Sequence, residues 1–238
     1  MTLKITGKQT AGACVFAVAA LLLLLKSDPG RRILTEIGFC PSRGHARFYD
    51  AMVSYHLRMQ GNVPPGAVLF FGDSITQSLC VAAVTQKGVN FGIGNDTTGG
   101  LKRRLPLYPA VEASGAVVLE IGVNDLKTVS DTEILGNYRS ILSLLPRKVP
   151  VILTAIFPVD ERAGARRKNA HIESLNRNLS EICHEFPNCV FLSTTEELKD
   201  SAGNLQRRYH TGDGIHLNAE GYRLWIKDLR TALSAIPR

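Results

Sequence analysis

A chain of 238 residues that is 45% apolar and 21% charged is long enough to bury a sizeable core, which excludes a disordered tail and a small disulfide-stapled scaffold. Its formal net charge of +7 would suit a polyanion or an anionic membrane surface, but the basic residues fall in separate groups: Arg31/Arg32, Lys102/Arg103/Arg104, Arg166/Arg167/Lys168 and Arg207/Arg208. No aromatic residues interleave with them, so they read as solvated surface and nucleic acid is not an expected partner.

In chain order, the first segment of note is Ala11 to Leu25, apolar throughout, with Lys4 and Lys8 before it and Lys26 after it. Its fifteen residues rise about 22 Å as a helix against a hydrocarbon core of about 30 Å, so a full span also recruits residues 5–10 and lets Lys8 snorkel. The stretch KSDPGRR follows where a cleavage site would need small residues, which favours an uncleaved signal anchor over residues 1–26. Basic residues flank both ends, so they do not set its orientation. Residues 27–44, with Pro29, Gly30, Pro41 and Gly44, read as a linker, and residues 45–238 as the folded domain.

That domain opens with a helical segment over 45–60, after which short β-branched runs alternate with helical periodicity. The runs 67–71, 88–93, 116–121, 149–157 and 188–192 read as strands apolar on both faces, as parallel strands covered by helices are. Between them, 131–145 carries Ile134, Leu135, Tyr138, Ile141, Leu142 and Leu145 on one stripe, opened by a Ser130/Glu133 capping box and stopped by Pro146. Segment 165–186 repeats the stripe through Ile172, Leu175, Leu179 and Ile182, and the C-terminal segment does so through Tyr222, Trp225, Ile226, Leu229 and Leu233. The alternation specifies right-handed crossovers and an α/β fold: a three-layer, doubly wound, five-stranded parallel sheet that binds ligands at the carboxyl ends of its strands. Cysteines 14, 40, 80, 183 and 189 form no metal-ligand pattern. Buried thiols are the simplest reading, although Cys183 and Cys189 bracket a helix-to-strand turn and could pair if the domain lies outside the cytosol.

Three of the expected strands end in polar chemistry: GDS at 72–74, GIGND at 92–96 and GVND at 122–125; a fourth cluster, GDGIHLN at 212–218, precedes the last helix, which Asn218 can cap. Taken singly these are ordinary turns, in which Asp73, Asp96 and Asp125 cap helices or bind loop amides and His210 is a loop histidine. His45, His56, His171 and His184 sit in helical segments, facing solvent or satisfied contacts. As an ordered set, GDSIT, NFGIGNDTT, GVND and DGIHLN resemble the blocks of the SGNH, or GDSL, hydrolase family over residues 67–225.

The resemblance implies a flavodoxin-like sandwich with Ser74 as nucleophile, His216 as general base and Asp213 as its orienting acid. It implies an oxyanion hole built from the backbone N–H groups of Ser74 and Asn95 and the side-chain amide of Asn124. No metal and no organic cofactor is implied. The chemistry is consistent residue by residue. A serine hydroxyl needs an adjacent base, imidazole can take and return the proton, and a carboxylate three residues before it can fix its tautomer. A helix after Gly72 would add its dipole at the developing oxyanion. Many relatives carry glycine where this chain has Asn95, whose tolerance of left-handed backbone preserves the donor while its side chain narrows the acyl pocket. The expected activity is that of a serine esterase cleaving a small or medium acyl ester through an acyl-enzyme, with lysophospholipids, aryl esters and acetylated sugars all within the family's range. The alternatives are an O-acyltransferase using the same triad and a non-catalytic binding module. The expected setting is the membrane, through the N-terminal anchor, with the catalytic domain outside the cytosol.

Overall fold

A computed structural model describes residues 43–164 and 168–236. The chain divides into two units, Met1–Ala51 and Met52–Arg238, and the fold and site belong to the second. The expected anchor over 1–26 and the linker up to residue 42 lie outside the described residues, and among the described residues no helix is long and apolar enough to cross a membrane.

After helix α1 (Arg43–Met59), the elements follow as β1 (Val68–Gly72), α2 (Ser74–Gln77), α3 (Val81–Val84), β2 (Gly88–Asn90), α4 (Thr98–Arg104) and β3 (Ala116–Glu120). Then come α5 (Asp131–Leu144), β4 (Val151–Thr154), α6 (Asn169–His184), β5 (Cys189–Leu192), α7 (Thr195–Leu198) and α8 (Ala219–Ala235). All neighbouring strands pair in parallel, in the order β2-β1-β3-β4-β5. Helices α4, α5 and α6 pack successively on one another, and α8 packs against α3, α7 and β5, so the doubly wound arrangement stands as expected.

Burial on both faces holds for the central strands, where Leu69, Phe70, Phe71, Val117, Val118, Leu119, Ile152 and Leu153 are shielded from solvent. It fails at the edges: β2 and β5 are only half-buried, and Val190 is 51% exposed, because an edge strand has a neighbour on one side only. Strand β4 also stops before its apolar run does. Beyond Thr154 the chain stays buried through Ile156, Phe157 and Val159, but side-chain amides replace the neighbouring strand. Asn176 accepts from Ile156 N at 2.8 Å and donates to its carbonyl at 2.9 Å, and Asn169 clips Val159 in the same way at 2.8 Å on both sides. Those clips satisfy backbone groups that a ladder would otherwise serve.

Helix ends follow their caps. Ser130 Oγ accepts from Glu133 N at 3.3 Å, Asn218 Oδ1 accepts from Glu220 N and Gly221 N, and α5 stops at Leu144, before Pro146. Helix α6 begins at Asn169, after Lys168 in extended backbone, and residues 165–167 of the expected segment lie outside the described residues. Cys183 and Cys189 form a disulfide with their Cα atoms 5.4 Å apart, joining the end of α6 to the start of β5.

Candidate active site

The C-terminal end of β1 delivers Gly72, Asp73 and Ser74. A Cβ at position 72 would lie 2.0 Å from the Glu120 carbonyl oxygen and 2.1 Å from Thr76 Oγ1, so close approach to β3 requires glycine there. Asp73 is the N-cap of α2, its Oδ1 accepting from Ile75 N at 2.9 Å, which is the structural role expected for it. Helix α2 is a single turn, Ser74–Gln77. The helix expected after Gly72 is therefore present, but it is one turn long, so local N–H groups rather than an extended dipole are what it offers this end of the site.

Ser74 Oγ lies 2.9 Å from His216 Nε2, although the two residues stand 142 positions apart in the chain. On the far side of the ring, His216 Nδ1 bonds Asp213 Oδ2. The other carboxylate oxygen accepts from Ile215 N at 2.9 Å and His216 N at 3.0 Å. Partial burial would raise the Asp213 carboxyl, but the hydrogen bond from the His216 ring and those from the two amides outweigh it and hold the group at about 2. An ionised carboxylate at Nδ1 keeps the hydrogen there and leaves the Nε2 lone pair facing the serine hydroxyl. The line is thus arranged to take a proton from Ser74.

The turn after β3 carries Asn124, whose Nδ2 donates to the Asp96 carbonyl at 3.0 Å and so ties it to the turn after β2. An amide nitrogen is a donor, and this bond fixes the orientation of the group. Asn95, in the same turn as Asp96, is the non-glycine residue at positive φ among the described residues, at 60°, as its left-handed tolerance predicted, and its side chain is exposed. Asp125 accepts from Thr98 N at 3.1 Å and Thr98 Oγ1 at 2.6 Å, the loop-amide role expected of it.

The expectation that Lys102/Arg103/Arg104 is a solvated group fails at Arg104, which is 2% exposed. Its Nε pairs with Asp96 Oδ2 at 2.7 Å, its Nη2 donates to the Gly72 carbonyl at 3.2 Å, and its guanidinium sits 5.6 Å from the Phe71 ring centroid and 5.8 Å from that of Tyr108. Asp96 does accept from Thr97 N at 2.8 Å, but its main partner is this buried cation. Burial raises the Asp96 carboxyl and Arg104 works against that rise. The available signal was helical spacing: Arg104 follows Leu101 by three positions on the buried stripe of α4. Glu120, read only as part of a strand, is also buried, with Thr76 Oγ1 donating to its Oε2 at 3.4 Å. Burial first, and the neighbouring Asp73 second, raise its carboxyl well above the ordinary range. His56, expected in a satisfied contact, is buried with Nδ1 3.3 Å from the Tyr108 hydroxyl, and burial with Arg104 nearby lowers it to about 4. Among the described residues no group of three or more His, Cys, Asp or Glu side chains is arranged to hold a metal ion.

A parallel α/β sheet that aligns a hydroxyl, an imidazole and a carboxylate at its carboxyl edge has the geometry of acyl-transfer hydrolases. The profile of the GDSL-like lipase/acylhydrolase family matches residues 70–224, more than half of the chain. This chain belongs to that family and is a hydrolase acting on ester bonds. It is similar to a solved structure from Streptococcus pneumonia provisionally named as a platelet activating factor, with 28% identity, a TM-score of 0.77, and coverage of 87% of this chain and 100% of that one. It also shares its fold with a GDSL-like lipase from Bacteroides thetaiotaomicron at 20% identity and a TM-score of 0.68, over 76% of this chain and 97% of the other. An acetylxylan esterase from Geobacillus stearothermophilus shares it at 20% identity and a TM-score of 0.58, over 71% and 94%. No match was found among curated proteins.

Proposed function

We propose that the protein is a serine esterase that cleaves small or medium acyl esters by way of an acyl-enzyme, with Ser74 as nucleophile, His216 as general base and Asp213 as the group that orients it. The observation that carries this reading is the continuous hydrogen-bonded line from Ser74 Oγ through His216 to Asp213. In the first half-reaction Ser74 Oγ attacks the ester carbonyl carbon while His216 Nε2 takes its proton. The oxyanion that forms is received by the backbone N–H groups of Ser74 and Asn95 and the Asn124 amide. Collapse breaks the ester bond, and His216 returns its proton to the departing alcohol. Water then attacks the acyl carbon with His216 again as base, releasing the acid and restoring the serine.

Short acyl groups on sugars are the first substrates to try, because an acetylxylan esterase is among the structures of similar fold. The disulfide Cys183–Cys189 and the apolar segment Ala11 to Leu25 support a membrane-tethered domain outside the cytosol. The test is a chain-length series of aryl esters set against acetylated xylo-oligosaccharides, with Ser74→Ala as the blank and acceptor alcohols added to reveal transfer. Hydrolysis that disappears in the folded variant is expected; hydrolysis unchanged by the substitution would overturn the assignment.

A further inference from the structure

His210 sits in the loop that carries Asp213 and His216, yet its side chain is fully buried while theirs are 44% and 42% exposed. The loop closes as a hairpin. His210 and Leu217 form an antiparallel bridge, Thr211 N donates to the His216 carbonyl at 2.9 Å, and Asp160 N donates to the Gly214 carbonyl at 2.8 Å. Gly212 and Gly214 adopt φ of 115° and 75°, conformations suited to glycine. Both direct their N–H groups to one atom, His210 Nδ1, at 3.0 and 3.1 Å. These two amides flank Asp213 in the chain, so a single ring nitrogen holds the backbone on both sides of the carboxylate.

We propose that His210 is a positioning residue for the acid–base pair, its neutral ring holding Gly212 and Gly214 so that Asp213 meets His216 Nδ1. The proposal rests on the catalytic reading of Ser74, His216 and Asp213. A nitrogen that accepts two N–H bonds carries no hydrogen, so the ring proton of His210 is on Nε2. That atom faces Asp160 Oδ2 at 3.5 Å, within ion-pair range but long for a hydrogen bond, and Asp160 is itself held by Arg162 Nε at 2.8 Å. The two histidines of this loop therefore hold opposite tautomers: Nδ1 accepts in His210 and donates in His216. Each is set by the partner at that atom.

Asparagine places its amide at the level of Nδ1, whereas glutamine places it near Nε2. His210→Asn can therefore supply an acceptor to Gly212 and Gly214 and His210→Gln cannot. The full chain, its two variants and Ser74→Ala are compared for kcat, KM and fluorophosphonate labelling, and the 15N-labelled protein is read by long-range 1H–15N correlation. The expected results are an Nε2–H tautomer for His210, a loss of about 10²-fold in kcat at nearly constant KM for His210→Gln, as for a catalytic group misplaced by about 1 Å, and recovery of most of that loss in His210→Asn. Per labelled active site, a merely stabilising histidine would leave kcat unmoved. Wild-type kcat in folded His210→Gln, or a hydrogen on His210 Nδ1, would overturn the proposal. If His210→Gln fails to fold, the tautomer and His210→Asn decide it, and a fall of about 10²-fold in the asparagine variant counts against it. Activity surviving in Ser74→Ala would instead sink the catalytic reading itself.

Discussion

Arg104 and Asp96 form an ion pair at 2.7 Å in which each side chain is 1% exposed, and the same guanidinium donates to the Gly72 carbonyl. One cation thus joins the turn that carries Asn95 to the strand end that carries Ser74. Removing it would leave an uncompensated buried carboxylate, so Arg104→Met is expected to lower unfolding free energy by about 3–5 kcal/mol. The double variant with Asp96→Asn should lose less. Denaturant titrations of the three proteins check this, and equal losses in the single and double variants would contradict it.

Asp213→Asn is expected to reduce kcat by about 10⁴-fold, because an amide can hold the His216 ring in the wrong tautomer while the site keeps its shape. In the wild type the carboxylate titrates at about 2. Its native value lies below the unfolded value of about 3.9, so its contribution to stability is present above about pH 3.9 and lost as pH falls through 2. Being nearly half exposed, the group contributes little energy. A carboxyl 13C titration of Asp213 should show a midpoint at about 2; a midpoint of about 4 would mean the hydrogen bonds do not hold the ionised form.

On the proposed mechanism, Asn124→Ala removes an oxyanion donor together with the bond to the Asp96 carbonyl. A fall of about 10²- to 10³-fold in kcat with KM nearly unchanged is expected, since the lost bond forms in the transition state rather than with bound ester. A rise in KM at constant kcat would assign Asn124 to substrate binding instead.

Glu120 supplies a prediction about pH and stability. Burial and the neighbouring Asp73 raise its carboxyl, so the native state keeps a proton that the unfolded chain releases above about pH 4.3. Stability therefore falls as pH rises from there toward the native value, with a slope of about 1.4 kcal/mol per pH unit for one proton. Glu120→Gln lacks that slope and keeps an oxygen to accept from Thr76 Oγ1. Melting curves across pH should show the variant gaining on the wild type as pH rises. Parallel curves would place an ionised carboxylate at position 120.

The polar ends of three strands and the helix stripes were readable in advance, because both are local patterns. A turn that carries chemistry has to spell out Gly72 to Ser74 or Gly122 to Asp125 within a few residues, and a helix that covers a sheet repeats its apolar face every three or four. The order of the blocks likewise nominated Ser74, His216 and Asp213, which the fold brings into one hydrogen-bonded line, and Asn95 at positive φ followed from what asparagine tolerates. Only the tertiary structure decided that Arg104 leaves a basic triplet for the interior, that Glu120 is buried beside Asp73, that His210 gathers two glycine amides, and that β2 and β5 lie at the edges. Each depends on which distant backbone closes over a side chain: Arg104 reaches Gly72, 32 residues away, and Ile156 finds Asn176, 20 residues on. Burying a polar group costs free energy unless a partner meets it, and the topology of the sheet, which no local pattern encodes, determines where those partners are.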